Sequence, residues 1–307
     1  MQYSVVIPVF NEEGNVEQLH IELTAVMKTL GSYELIFVDD GSVDGTFERL
    51  SALHKRDTHI RVIQLRKNFG QSAAMDAGLC AVQGKIIITL DGDLQNDPAD
   101  IPRLLKKLNE GYDAVSGWRW KRKDPLEKRV FTLFARFFRR FVIADKLHDA
   151  GCSLKVYRRE CFENFTLVGE MHRYIAELLQ LQGFKIGEVK VHHRARKHGK
   201  TKYSLSRVVK GFLDLFLVWF WQKYMGRPLH LFGGAGLVLM LGGMGTGLYM
   251  MWQKIIHDIN LSSHFLSIVS VFLVLIGVQL FVSGLMTDLL VRNYYQGRKR
   301  YTIRKTL

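Results

Sequence analysis

The sequence predicts an α/β domain, a mostly parallel sheet with helices on both faces, followed by interfacial segments and two transmembrane helices. Two observations carry this. Through residue 116, apolar runs of strand length alternate with stretches of helical periodicity, a pattern that builds a parallel sheet. Near the C-terminus, residues 231–252 and 265–287 contain no Asp, Glu, Lys or Arg, and each run exceeds the roughly 20 residues that span hydrocarbon. A charge at a helix centre costs about 2.5–3.5 kcal/mol on the insertion scale, so charge-free runs of this length in so basic a chain point to a bilayer.

Taken in order, a strand over 3–9 leads into a helical pattern from Asn11-Glu12-Glu13 to about residue 30. A second strand, 33–38, ends in Asp39-Asp40-Gly41-Ser42 and precedes a helix over 44–54. Strand 60–65, helix 71–82, strand 85–90, helix 98–110 and strand 113–116 repeat the unit. Beyond Gly117 the alternation weakens to a strand near 153–157, a helix near 172–182 and a last strand at 185–192. Ligands of such sheets bind at the carboxyl ends of the strands.

Net charge is +14 with a pI of about 9.7, which calls for an acidic partner: anionic lipid, a phosphorylated substrate or nucleic acid. The distribution of that charge favours lipid and phosphate. Between Arg119 and Arg140 there are nine Lys or Arg, with Arg136, Arg139 and Arg140 set among phenylalanines, as in a helix lying in a membrane interface over 126–143. No nucleic-acid recognition motif accompanies the basic clusters. Three cysteines, Cys80, Cys152 and Cys161, lack metal-ligand spacing and suit a reducing compartment. There is no signal-peptide pattern at the N-terminus.

The domains read as 1–204, a juxtamembrane amphipathic segment 205–228, a membrane hairpin 229–291 and a basic tail 292–307. Lys223 and Arg227 precede the hairpin, six Lys or Arg follow it between Arg292 and Lys305, and its loop holds only Lys254 and Asp258. The positive-inside rule then puts both termini in the cytoplasm. Gly243-x-x-x-Gly247 fits a close helix contact, either within the hairpin or in a homo-oligomer.

Two acidic groups stand at strand ends, Asp39-Asp40 and Asp91-Gly92-Asp93. Asp-x-Asp places two hard oxygen donors where they can engage a divalent cation, Mg²⁺ or Mn²⁺, that also binds a diphosphate. Surface turns produce the same tripeptide. Other nucleotide motifs are absent: no G-x-G-x-x-G follows the first strand, and Gly78 to Ile86 misses the P-loop pattern in spacing and in its final hydroxyl. His192, His193 and His198 read as a solvated loop, since their spacing makes no zinc site.

Four segments in order resemble the glycosyltransferase family 2 enzymes of the dolichyl-phosphate mannose synthase type. They are Val5-Val-Ile-Pro-Val-Phe-Asn-Glu12, Val38-Asp-Asp-Gly-Ser-Val-Asp-Gly-Thr46, Leu90-Asp-Gly-Asp-Leu-Gln95 and Arg196-x-x-Gly199-x-Thr201-Lys202-Tyr203. The resemblance covers about the first 205 residues and implies a GT-A catalytic domain, a Rossmann-like mostly parallel sheet. It further implies inverting transfer of a hexose from a nucleotide-sugar, UDP-hexose before GDP-mannose, to a polyprenyl phosphate, undecaprenyl or dolichyl. By position, Pro8, Phe10, Glu12 and Asp40 would border the nucleoside, and Asp91, Asp93 and Gln95 the metal and diphosphate. Arg119, Arg196 and Lys202 would hold phosphate groups; Arg136, in the basic interfacial segment, is a further candidate for phosphate, and Asp149 reads as an acceptor-side or sugar-side carboxylate or as a loop cap. Phe10 stands where tyrosine is frequent and Thr201 where serine is. A non-catalytic membrane adaptor would explain the charge and the hairpin but not the carboxylates at two strand ends.

Overall fold

A computed structural model describes residues 1–120, 147–149, 151–163, 165, 167, 171–194, 220, 224 and 228–294. They fall into two compact units, one within Met1–Leu215 and one within Phe216–Arg300. The first is a seven-stranded mixed sheet. In chain order it contains β1 (Tyr3–Val9), α1 (Val16–Met27), β2 (Tyr33–Asp39), α2 (Thr46–Arg56), β3 (Ile60–Gln64), α3 (Gln71–Cys80) and β4 (Ile86–Thr89). A 3₁₀ turn, Pro98–Asp100, then opens α4 (Ile101–Leu108), followed by β5 (Ala114–Arg119), β6 (Lys155–Arg158), α5 (Ile175–Leu181) and β7 (Ile186–Val191).

The strand order is β3-β2-β1-β4-β6-β5-β7, parallel except that β6 runs antiparallel to both β4 and β5. Every residue of β1 and β2 is buried, because both faces of these central strands are covered; such strands read as continuous apolar runs. The covering helices show the matching stripe. α1 buries Val16, Leu19, Leu23 and Met27, and α4 buries Ile101, Leu104, Leu105 and Leu108. Each such side chain contributes about 1.5–3 kcal/mol on leaving water.

The expected helix from residue 11 begins only at Val16. The intervening backbone is committed elsewhere: the Asn11 amide donates to Ser42 Oγ at 2.9 Å and the Glu12 amide to Thr46 Oγ1 at 2.9 Å. Asn11 takes a φ of 56°, which asparagine tolerates better than most residues. The fifth strand is longer than expected and runs to Arg119, because β7 pairs with it from Ala114 through Arg119.

The second unit is a helical hairpin of α6 (Pro228–His257) and α7 (Phe265–Tyr294). Both helices are long and apolar enough to cross a membrane, and only 17% and 11% of their most apolar windows are buried, unlike the core helix of a water-soluble domain. Close approach needs glycine: a Cβ on Gly236 would lie 2.5 Å from the Gly277 carbonyl oxygen, and one on Gly243 2.9 Å from that of Ser270. Ser270 Oγ donates across the gap to the Gly243 carbonyl at 2.7 Å. Gly247 also faces Ser270, so the small-residue motif serves the hairpin itself.

Candidate active site

The sheet opens where its winding changes direction. β1 stays paired with β2 through Val9 and Asp39, but with β4 only through Val6 and Thr89. Past Thr89 the chain leaves as Leu90-Asp91-Gly92-Asp93, and the crevice between β1 and β4 lies at the carboxyl edge, the usual ligand position of such sheets. Pro8 sits in β1 opposite Val38 and beyond the last β4 partner, so its missing N–H removes no bond to β4. Gly92 lets the acidic turn press against β1, since a Cβ there would lie 2.6 Å from Val9 Cγ1. Phe10, 38% exposed, stands at the rim.

Asp40 is buried, and its two carboxylate oxygens accept the amides of Phe69 (2.8 Å) and Gly70 (2.9 Å). Its own amide donates to the Val9 carbonyl at 2.9 Å. Asp40 thus ties the loop before α3 to the ends of β1 and β2. The Glu12 carboxylate accepts from Asn15 Nδ2.

The paired carboxylates have different surroundings. Asp91 Oδ1 accepts Gln71 Nε2 at 2.6 Å, and the Asp91 amide donates to Ser153 Oγ at 3.3 Å. Asp93, 6% exposed, accepts the Gln95 amide at 3.1 Å. Leu94 between Asp93 and Gln95 has a φ of 59°, an uncommon conformation for a non-glycine residue and one that clusters at functional turns. Desolvation, then the neighbouring Asp93 charge, raise the Asp91 carboxyl; Ser153 and the charges of Arg119 and Lys155 oppose them, and it is pushed up to about 6. Two hard carboxylates held beside each other at this cost fit a divalent cation. Among the described residues no group of three or more His, Cys, Asp or Glu could hold a metal, so further oxygen ligands would come from water and a ligand phosphate.

Arg119 ends β5 at the same sheet edge. Its Nε donates to Asp149 Oδ2 at 2.6 Å and its Nη2 to Asp149 Oδ1 at 2.8 Å, a two-pronged pair with side chains 14% and 11% exposed. Burial alone would lower the guanidinium pKa, but the bonds and charge of Asp149 more than offset it and raise it. Asp149 therefore partners Arg119, and its loop is fixed by Glu188, which accepts the amides of His148 (2.8 Å) and Asp149 (3.2 Å). His148 stacks on Trp118 with ring centroids 4.2 Å apart.

Gln95 links the acidic turn to the end of β7. Its carbonyl accepts the Arg194 amide at 2.8 Å, and Asn96 bridges to His193. Arg194 also pairs with Glu22 at 2.7 Å and Asp97 at 2.8 Å. His192 donates its amide to Asp100 Oδ2 at 2.6 Å and sets its ring against the same carboxylate. His192 and His193 are both exposed, as expected of a solvated loop, while their backbone docks the β7 extension on the segment after the acidic turn. Arg136, Arg196, Lys202 and His198 lie outside the described residues, as does the 126–143 segment.

The structure therefore brings Phe10, Asp40, Asp91, Asp93, Gln95, Arg119 and Asp149 to one edge of the sheet. Sequence reasoning missed Gln71, Ser153, Lys155 and Glu188. Gln71 could have been found as the first helical residue after a strand at that edge. Lys155, 2% exposed, opens β6, which starts at that edge opposite Thr89 and Ser116.

The glycosyl transferase family 2 profile matches residues 4–166. The chain is 39% identical over 302 residues to dodecaprenyl-phosphate galacturonate synthase of Rhizobium johnstonii, covering 96% of this chain and 89% of that one. It is 32% identical over 309 residues to undecaprenyl-phosphate 4-deoxy-4-formamido-L-arabinose transferase of Salmonella paratyphi A, covering 99% and 93%. Among solved structures, glucosyl-3-phosphoglycerate synthase from Mycobacterium tuberculosis, crystallised with Mn²⁺, UDP and glucosyl-3-phosphoglycerate, has the same GT-A fold. The TM-score is 0.57 at 22% identity over 71% of this chain and 79% of that one. The same enzyme was also crystallised with Mg²⁺ and UDP. With a profile match over more than half its length and relatives aligned over nearly all of it, the chain belongs to glycosyl transferase family 2.

Proposed function

We propose that this enzyme transfers a hexose from a nucleotide-sugar to polyprenyl phosphate at the cytoplasmic face of a membrane, with inversion at the anomeric carbon. The observation that carries the reading is the convergence of Asp91 and Asp93 with the Asp149-fixed Arg119 at one sheet edge. The named acceptor chemistry of the Rhizobium and Salmonella relatives supports the lipid substrate, as do two helices able to span a bilayer. UDP-hexose is the first donor to test and GDP-mannose the second. The basic residues flanking the hairpin support cytoplasmic termini.

In this reading an oxygen of the acceptor phosphate attacks the anomeric carbon while the bond from that carbon to the donor's diphosphate oxygen breaks. The electron pair leaves on the nucleoside diphosphate, and the sugar becomes joined to lipid through one phosphate. A phosphate monoester is ionised at neutral pH, so no base has to remove a proton. Positioning and electrostatics then supply the catalysis. A divalent cation held by Asp91 and Asp93, Mg²⁺ or Mn²⁺, would neutralise the charge gathering on the leaving diphosphate. Arg119 presents a fixed positive charge to phosphate oxygens, held in place by Asp149. Phe10 and Asp40 border the nucleoside, with Pro8 and Glu12 shaping that wall, and Gln95 flanks the diphosphate. Arg136, Arg196 and Lys202 are proposed to bind the acceptor phosphate.

The test is incubation of the purified full chain with polyprenyl phosphate and a panel of labelled UDP- and GDP-sugars. Label should move to the lipid from a UDP-hexose; no transfer from any donor would overturn the reading.

A further inference from the structure

Two consecutive residues at the start of α3 touch two carboxylates of the site, and a third fixes the helix start to a neighbouring segment. The Gly70 amide donates to Asp40 Oδ2 at 2.9 Å, Gln71 Nε2 donates to Asp91 Oδ1 at 2.6 Å, and Ser72 Oγ meets His172 Nδ1 at 2.7 Å. The helix presenting them is held hard against the sheet: a Cβ on Gly78 would lie 2.4 Å from Val6 Cγ1. Gln71 is therefore offered from a rigid support.

We propose that Gln71 is a positioning residue for the metal-binding carboxylate: it clamps Asp91 through Oδ1, so that the carboxylate meets a nucleotide-bound divalent cation in one orientation. The inference rests on the donor-site reading given above for Asp91 and Asp93. A neutral amide suits this task better than lysine or arginine. It donates a hydrogen bond to the carboxylate without placing a positive charge where the cation must sit. Carboxylates that ligate metals are themselves hydrogen-bonded by outer partners, and loss of such a partner typically weakens metal binding about 10–100-fold.

The experiment measures Mn²⁺ binding by electron paramagnetic resonance, in the presence of UDP and separately of GDP, on the full chain in detergent micelles. Gln71→Met keeps an unbranched side chain of similar size and removes the donor. Gln71→Asn keeps the amide and shortens its reach. Both variants should bind Mn²⁺ about 10–100-fold more weakly than the wild type. Their transfer rates should fall at low Mn²⁺ and recover at saturating Mn²⁺. Variants that are less heat-stable yet bind Mn²⁺ like the wild type would overturn the proposal and leave Gln71 as a helix-start residue only. If the wild type itself bound no Mn²⁺ with either nucleotide, the donor-site reading would fall and this inference with it.

Discussion

Asp93→Asn should leave a folded protein whose transfer rate is lower by about 10³-fold or more, since a catalytic cation supplies several kcal/mol of charge stabilisation and each 1.36 kcal/mol is tenfold in rate. The substitution is nearly isosteric at a position only 6% exposed, and the remaining oxygen can still accept the Gln95 amide. It also removes the neighbouring charge that helps push the Asp91 carboxyl up to about 6. In the wild type that elevation has a definite sign. Between the ordinary value of 3.8 and about 6, the folded protein holds a proton that the unfolded chain has lost. Asp91 therefore contributes stability in acid that fades as pH rises through about 6, until a cation replaces the proton. Metal affinity should accordingly weaken as pH falls below about 6. Rates with and without chelator, taken from pH 5 to 8 alongside thermal unfolding, check both statements; full activity of folded Asp93→Asn in excess chelator would refute the first, and wild-type metal affinity that holds steady below pH 6 the second.

The Arg119–Asp149 pair should show the second largest effect. Arg119→Lys keeps the charge but loses the planar fork that meets both Asp149 oxygens. The rate per folded molecule should drop about 10²-fold, the scale of losing one preorganised donor at a site of developing charge. Asp149→Asn leaves a nearly buried guanidinium without its countercharge, which costs about 3–5 kcal/mol where one partner of a buried pair is removed. That variant should unfold at lower temperature as well as turn over slowly. Rates normalised to folded protein separate the two roles. If both variants lose stability and keep the wild-type rate per folded molecule, the pair is structural and does not serve the donor phosphates.

Much of this architecture was legible because it is local. The strand–helix alternation needs only hydrophobic periodicity, and the Asp91-Gly92-Asp93 turn is marked by its place after an apolar strand. The hairpin is visible as two charge-free runs. What escaped depends on contacts between distant residues. Gln71 reaches Asp91 across 20 positions and Glu188 reaches His148 across 40, and neither pairing leaves a trace in composition or spacing. Lys155 was missed because β6 is antiparallel: it begins at the edge where its neighbours end, and a parallel reading puts no strand start there. Arg119 was expected after its strand and proved to be the last residue of it, a register that only pairing with β7 determines.

The central claim is that a sugar, and not a sugar phosphate, moves onto the lipid phosphate. The most direct measurement is mass spectrometry of the lipid product, together with identification of the released nucleotide, from a reaction of full chain, polyprenyl phosphate, divalent cation and the accepted nucleotide-sugar. A lipid carrying the sugar through a single phosphate, formed in step with nucleoside diphosphate, is the predicted result. A lipid with two phosphates, formed with nucleoside monophosphate, would contradict it.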